Sequence, residues 1–303
     1  MKVGVTGAGG FVGRGVIKEL LADGHNVHAF SSQENICEYN AVNLKYHLYS
    51  DFLEGKLSSE IVDLDVMIIA HGIAHTRNKK DLDSAYKINY EDVLNIAEIC
   101  RTLNIKKFIF ISSANVSEKL NDKAQFGSQK NDNDLLMSLK HNVTQDLFNR
   151  FGNDYQIIIL QPVLIYGTQM KGSLSTLRKI IKLRIPLPIR RIDSARCYLS
   201  LRSLGRLICQ CIKCDLSQRE VFVVSDENPI TIMQLTNALS DEATPNLYFF
   251  MWPSILRAVL SLIGKSDIAE HLYKDLVTDL SQVKLKTGWQ PVADTVQAIK
   301  DET

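Results

Sequence analysis

Lys2-Val-Gly-Val-Thr6-Gly7-Ala-Gly-Gly10-Phe11-Val12-Gly13-Arg14 is the stretch on which the reading of the fold turns. Val3 and Val5 make a short buried strand. The glycine loop then turns into a helix that carries Val16, Ile17, Leu20 and Leu21, and Gly24 is placed to end it. Residues 27–30 follow as a second strand, completing a strand-helix-strand unit of about 30 residues, as a dinucleotide fold requires. Gly7, Gly10 and Gly13 let the backbone turn tightly and approach a pyrophosphate at the helix N-terminus, where free amides and the helix dipole favour negative charge. Glycines also serve ordinary turns; their place between this strand and this helix favours a nucleotide site.

At the end of the second strand an acidic residue would bond a ribose diol and select NAD, whereas an arginine would favour NADP. The chain has Ser31 and Ser32 there, and Arg14 just beyond the glycine loop, so both cofactors stay open, with a slight preference for NAD. Further strands are expected over 44–48, 66–70, 108–112, 157–160 and 221–224. Most are nearly continuous apolar runs, the signature of a parallel sheet covered on both faces. Residues 84–103 and 142–151 carry helical periodicity. The expected fold is therefore α/β, a Rossmann-like doubly wound parallel sheet.

From Tyr166 onward the pattern loosens. Pro186 and Pro188 interrupt it, a strand returns near 197–201, and an apolar helix covers 252–263. That helix is shorter than the roughly 20 apolar residues a membrane span needs, and it contains Pro253 and Arg257, so a lid or substrate-domain helix is preferred to an interfacial anchor. The expected division is a dinucleotide-binding domain over 1–166 plus 196–225 and a smaller substrate domain over 167–195 plus 226–303.

Lys plus Arg (35) nearly balances Asp plus Glu (34) in the 303 residues, so no global field draws the chain to nucleic acid or to an anionic membrane, and an anionic ligand must be met by a local site. No export signal precedes the first strand, which points to the cytoplasm. The six cysteines do not suggest a disulfide framework. Cys209, Cys211 and Cys214 lack the paired spacing and fourth ligand of a zinc site, and with Leu204, Leu207, Ile208 and Ile212 they read as positions on a buried helix, with no metal.

Several pieces, in order, resemble one family. They are the glycine loop 6–13, Asn89, Phe108-Ile-Phe-Ile-Ser-Ser-Ala-Asn-Val116, Gln161-Pro-Val-Leu-Ile-Tyr-Gly167, Pro186-Leu-Pro-Ile189 and Gly288-Trp-Gln-Pro291. The chain is similar over nearly its full length to the extended short-chain dehydrogenases/reductases of the NAD-dependent nucleotide-sugar epimerase/dehydratase family. Its second half is especially similar to bacterial members that make or modify nucleoside-diphosphate sugars for surface polysaccharides.

The resemblance implies roles position by position. Ser113, helped by Ser112, would hydrogen-bond the sugar oxygen that becomes or ceases to be a carbonyl. Lys140 would hold the nicotinamide ribose and lower the pKa of a neighbouring acid. Gly7, Gly10, Phe11, Val12, Gly13, Ser31, Ser32, Asp51 and Gly72 would complete the cofactor site. Arg196 would grip the nucleotide diphosphate, with Arg190 and Arg191 nearby, and Ser173, after Lys171 and Gly172, would stand where relatives use an asparagine. Arg202 and Lys284 stand where an acidic residue and an arginine are expected. His71 and His75 have both structural and functional readings.

One partner is missing. The family's proton-transferring tyrosine precedes its lysine by four residues, and here that position is Leu136; no tyrosine in the chain has a lysine four residues later. His141, Ser138, Ser113 or a water could supply the proton, the pocket could bind without turnover, or the substrate could need no tyrosine. The implied activity is a 4-keto reductase or 4-epimerase that binds NAD or NADP and acts on a nucleoside-diphosphate sugar, without membrane insertion; a homodimer, as in many relatives, is compatible with the resemblance. The alternative is a non-catalytic nucleotide-binding relative used for regulation or assembly.

Overall fold

The computed structural model describes residues 1–32, 41–56, 61, 63–73, 79–114, 132–170, 172–240, 247–262 and 272–303. Its strands are β1 (Lys2–Thr6), β2 (Asn26–Ser31), β3 (Leu44–Leu48), β4 (Val66–Ile69), β5 (Lys107–Ile111), β6 (Gln156–Pro162), β7 (Ile165–Tyr166), β8 (Ala195–Arg196), β9 (Leu199–Ser200), β10 (Arg219–Val224) and β11 (Ile230–Thr231). Seven of them form one sheet in the order β10-β6-β5-β4-β1-β2-β3, with every pairing parallel. This is the Rossmann-like doubly wound sheet. β4 and β6 are buried at every position, which is why residues 66–69 and 157–160 are continuous apolar runs rather than alternating ones.

The strand order reverses between β1 and β4, so the crevice at the carboxyl ends of these two strands is where an open α/β sheet receives a ligand. Helix Phe11–Ala22 returns the chain from β1 to β2 and buries Val16, Ile17 and Leu20. Between β4 and β5 the expected single helix is two, Lys79–Tyr86 and Asp92–Thr102, joined by a π-helical turn over Lys87–Glu91 that buries Asn89. Helix Asp132–Phe151 joins β5 to β6 and starts ten residues earlier than the periodicity at 142–151 indicates. One face of the sheet packs Phe30, Phe52, Met67, Phe108, Leu147 and Phe151 into a continuous core.

The chain divides into two compact units, one of residues 1–163, 204–224 and 281–289, the other of 164–203, 225–280 and 290–303. The sheet belongs to the first. Helix Leu201–Lys213 buries Leu204, Leu207, Ile208, Cys209 and Cys211, and the Lys107 ammonium caps its C-terminal carbonyls at Cys211, Ile212 and Cys214, a placement the helix dipole favours. In the second unit β7 pairs with β9 and β8 with β11. There, helix Pro253–Leu262 lays Leu256 and Leu260 against Ile189 and Ile192. Among the described residues no helix is long and apolar enough to cross a membrane.

Candidate active site

The glycine loop lies at the end of β1, and its glycines are required by space. Gly7 has φ +68°, and a Cβ there would sit 2.7 Å from the His71 backbone nitrogen; at Gly13 a Cβ would sit 2.2 Å from the Gly7 carbonyl oxygen. The loop thus seats directly on Ala70 and His71, the two residues after β4, with the first turn of helix Phe11–Ala22 drawn against it. That turn has no acidic residue and no side-chain cap, which leaves its amides to an anion. Phe11 and Val12 open the helix and are half-buried. Ser31 is buried at the end of β2, with Ser32 exposed beside it. The geometry is a cradle that fits a dinucleotide pyrophosphate.

Behind the cradle lies a polar chain that has no local signature. His71 Nε2 faces the Ile88 carbonyl oxygen at 3.2 Å, which can only accept, so a neutral ring carries its proton on Nε2. Nδ1 then accepts from the Thr6 hydroxyl at 2.7 Å, a shorter contact than that hydroxyl's 3.3 Å to the Ile68 carbonyl, and Thr6 Oγ1 in turn receives the Ala70 amide at 3.3 Å. Tyr49 Oη lies 3.2 Å from the same Nε2 and donates to Asp92 Oδ2 at 3.3 Å. Burial lowers the His71 pKa to about 4, and it raises those of Tyr49 and Asp92, Asp92 further raising Tyr49's. His71 is therefore neutral at pH 7. Asn89 acts from the π-helical turn: its Oδ1 accepts the Ile73 amide and its Nδ2 donates to the Ile73 carbonyl, both at 2.8 Å. A Cβ on Gly72 would come within 3.1 Å of that Oδ1, so the glycine lets the clamp close.

Ser112 and Ser113 extend β5 at the same edge of the sheet. The Ser112 amide donates to the Leu160 carbonyl at 2.7 Å and the Ala114 amide to the Pro162 carbonyl at 2.9 Å, which fixes the pair between them. The Ser112 hydroxyl is buried with no hydrogen-bond partner among the described residues, and Ser113 is half-buried. A buried orphan hydroxyl at this edge suits a polar ligand atom.

Helix Asp132–Phe151 runs back from that edge, and its first half carries Leu136 and Lys140 one turn apart on one face. Leu136 is 0% exposed. It is a packed core residue. Burial of the Lys140 ammonium lowers its pKa to about 8, and the Thr144 hydroxyl bonds its backbone carbonyl at 2.9 Å. Ser138, two residues from both, is exposed on the other side of the helix, and His141 is half-buried. Asp51 lies in the first turn of helix Tyr49–Leu53, with its carboxylate 3.9 Å from the Lys56 ammonium. His75 and Lys171 lie outside the described residues.

In the second unit the Arg196 guanidinium donates to the Lys274 carbonyl at 2.7 Å, and Ser173 is exposed at the start of helix Ser173–Lys182. Arg190, Arg191 and Arg202 are exposed, and Tyr198 is buried, which pushes its pKa up to about 12. Tyr166, from the stretch 161–167, is wholly buried and donates to Asp226 Oδ2 at 2.6 Å, while the Ser200 amide donates to the same oxygen at 2.9 Å. Burial raises the Asp226 pKa to about 6. In the first unit, where Lys284 is half-buried, Asp23, His25 and Cys209 bring three possible metal-ligand atoms within 4.8 Å of one another, a grouping that sequence spacing hides. Lys213 holds the Asp23 carboxylate at 2.6 Å and burial pushes the Cys209 thiol up to about 12, so the cluster is satisfied as a hydrogen-bonded ion pair.

A parallel sheet with a glycine cradle at its switch point defines a dinucleotide-binding protein. Residues 3–196 match the model of the NAD dependent epimerase/dehydratase family, and the chain belongs to that family. It is 26% identical over 302 residues to the UDP-glucose 4-epimerase of Vibrio cholerae, covering 95% of this chain and 90% of the relative. In fold it is similar to the UDP-glucuronic acid 4-epimerase of Bacillus cereus solved with NAD, with TM-score 0.74, 16% identity, and coverage of 100% of this chain and 95% of the other. The UDP-glucose 4-epimerase of Thermotoga maritima solved with UDP-glucose gives TM-score 0.71 at 16% identity, covering 99% and 96%.

Proposed function

We propose that the chain binds NAD in the glycine cradle and catalyses oxidoreduction at C4 of a nucleoside-diphosphate sugar, by 4-epimerisation or 4-keto reduction. The observation that carries this reading is the convergence on one sheet edge of the cradle, the orphan Ser112 hydroxyl and the Lys140 helix. NAD, when bound, supplies the nicotinamide carbon that accepts or returns hydride. Ser113 and Ser112 hold the sugar oxygen. Lys140, with a pKa near 8, takes the hydroxyl proton when that oxygen becomes a carbonyl and returns it on reduction, a task for which a desolvated lysine is suited. Arg196 and Ser173 are assigned to the nucleoside diphosphate. The assignment follows from the family resemblance, as do a cytoplasmic location, a homodimeric assembly and a role in surface polysaccharide biosynthesis.

A second reading is favoured by one observation: Leu136 is packed into the core where the family places its phenol, as suits a pocket that binds NAD and sugar nucleotide without turnover. Incubation with NAD and UDP- or dTDP-hexoses, and with NADH and a 4-keto-hexose nucleotide, with products followed by NMR, separates the two. Conversion by the wild type supports catalysis. Conversion only after Leu136→Tyr supports the binding-only reading, and failure of NAD to bind in calorimetric titration sinks both.

A further inference from the structure

We propose that the second unit docks peripherally on an anionic phospholipid bilayer through a surface built from residues 182–191 and 247–262, independently of the reaction proposed above. The two segments are joined by hydrogen bonds: Leu187 exchanges amide-carbonyl bonds with Leu247 and Phe249 at 2.8 and 3.0 Å, and the Arg190 amide donates to the Phe249 carbonyl at 3.2 Å. The Arg191 guanidinium lies over the Phe250 ring at 5.6 Å, and Phe250 meets Trp252 edge to face at 5.4 Å. Basic and aromatic side chains therefore form one continuous face.

The apolar side of that face is uncovered. Leu247, Phe249, Phe250, Trp252, Ile255 and Leu262 are all exposed, Trp252 by 66%. Helix Pro253–Leu262 already spends its inner face, Leu256 and Leu260, on the core, so Ile255 and Leu262 form a second apolar face pointing outward. Contiguous exposed apolar surface of this kind marks an interaction site.

Charge chooses the occupant. Residues 182–191 and 247–262 together carry five positive charges and no negative one, in a chain whose net charge is +1, so the remainder is net negative. A second copy docking through the same face would bring like charges together. An anionic bilayer instead offers headgroups to the lysines and arginines and an acyl boundary to Trp252, Phe249, Phe250 and the outer helix face, as in interfacial amphipathic segments. The sequence expectation of a lid accounts for the apolar residues but not for this charge.

The full chain, loaded with NAD, is tested by flotation with vesicles of phosphatidylcholine alone or mixed equally with phosphatidylglycerol. The chain has two tryptophans, and Trp289 is 2% exposed, so a Trp289→Phe background leaves Trp252 as the reporter. The expected result is binding to the anionic vesicles only, with a blue shift of Trp252 emission and weakening at raised salt. Lys182→Glu with Arg184→Glu should lower affinity by about tenfold or more. Phe250→Ser with Trp252→Ser should abolish binding, while both variants keep wild-type thermal unfolding and NAD affinity. Absence of flotation, equal binding to neutral vesicles, anionic binding that survives the aromatic change, or a dimer dissolved by that change would each overturn the proposal.

Discussion

His71 Nδ1 accepts a hydrogen bond from the Thr6 hydroxyl across 2.7 Å, and so ties the end of β4 to the end of β1, the two strands on either side of the topological switch point. The bond lies directly beneath the glycine cradle, because a Cβ at Gly7 would strike the His71 backbone. Thr6→Val removes the donor and strands a buried ring nitrogen, which should cost about 1–2 kcal/mol in urea unfolding. Thr6→Ser should restore most of it.

The neutral state of His71 gives stability a pH dependence of known sign. Its folded pKa is about 4, below the ordinary value of 6.5 for an unfolded histidine, so between these values the unfolded chain holds more protons and stability falls as pH falls. His71→Gln removes that proton uptake. Over this window its unfolding free energy should change less steeply than that of the wild type, by up to about 1.4 kcal/mol per pH unit.

Gly7→Ala and Gly13→Ala place a methyl group where the backbone of the cradle already stands. Each should weaken NAD binding by at least about tenfold in calorimetric titration, equivalent to about 1.4 kcal/mol. Unchanged NAD affinity in both would remove the cradle from the cofactor site.

Lys140 is held charged at a cost below its folded pKa of about 8, and the ordinary lysine value of 10.5 sets the upper end of the window. Between these values the unfolded chain binds the extra proton, so stability rises with pH. Lys140→Met should therefore be more stable than the wild type at neutral pH by about 2 kcal/mol, and the advantage should shrink as pH rises through that window.

The sheet was legible because its evidence is local: Val3, Val5 and the glycines specify a strand, a turn and a helix within one unit, and the apolar runs at β4, β5 and β6 announce burial on both faces. The π-helical turn that presents Asn89 and the Ile88 carbonyl was not, since periodicity over 84–103 indicates one continuous helix. Tyr49 and Asp92 escaped notice for a different reason. Tyr49 meets His71 from 22 residues before it and Asp92 meets Tyr49 from 43 residues after that tyrosine, and a hydrogen-bonded chain assembled across such separations has no spacing to read. At Leu136 the sequence shows an apolar residue four positions before Lys140, and the structure adds that its side chain is completely buried.

The pH dependence of kcat for NAD-dependent conversion of a UDP-hexose tests most directly whether Lys140 carries the proton. The account predicts an inflection near pH 8 in the wild type and a loss of about 10²–10⁴ in kcat for Lys140→Ala, read at saturating NAD. A wild-type rate that keeps its profile and magnitude in Lys140→Ala would contradict it.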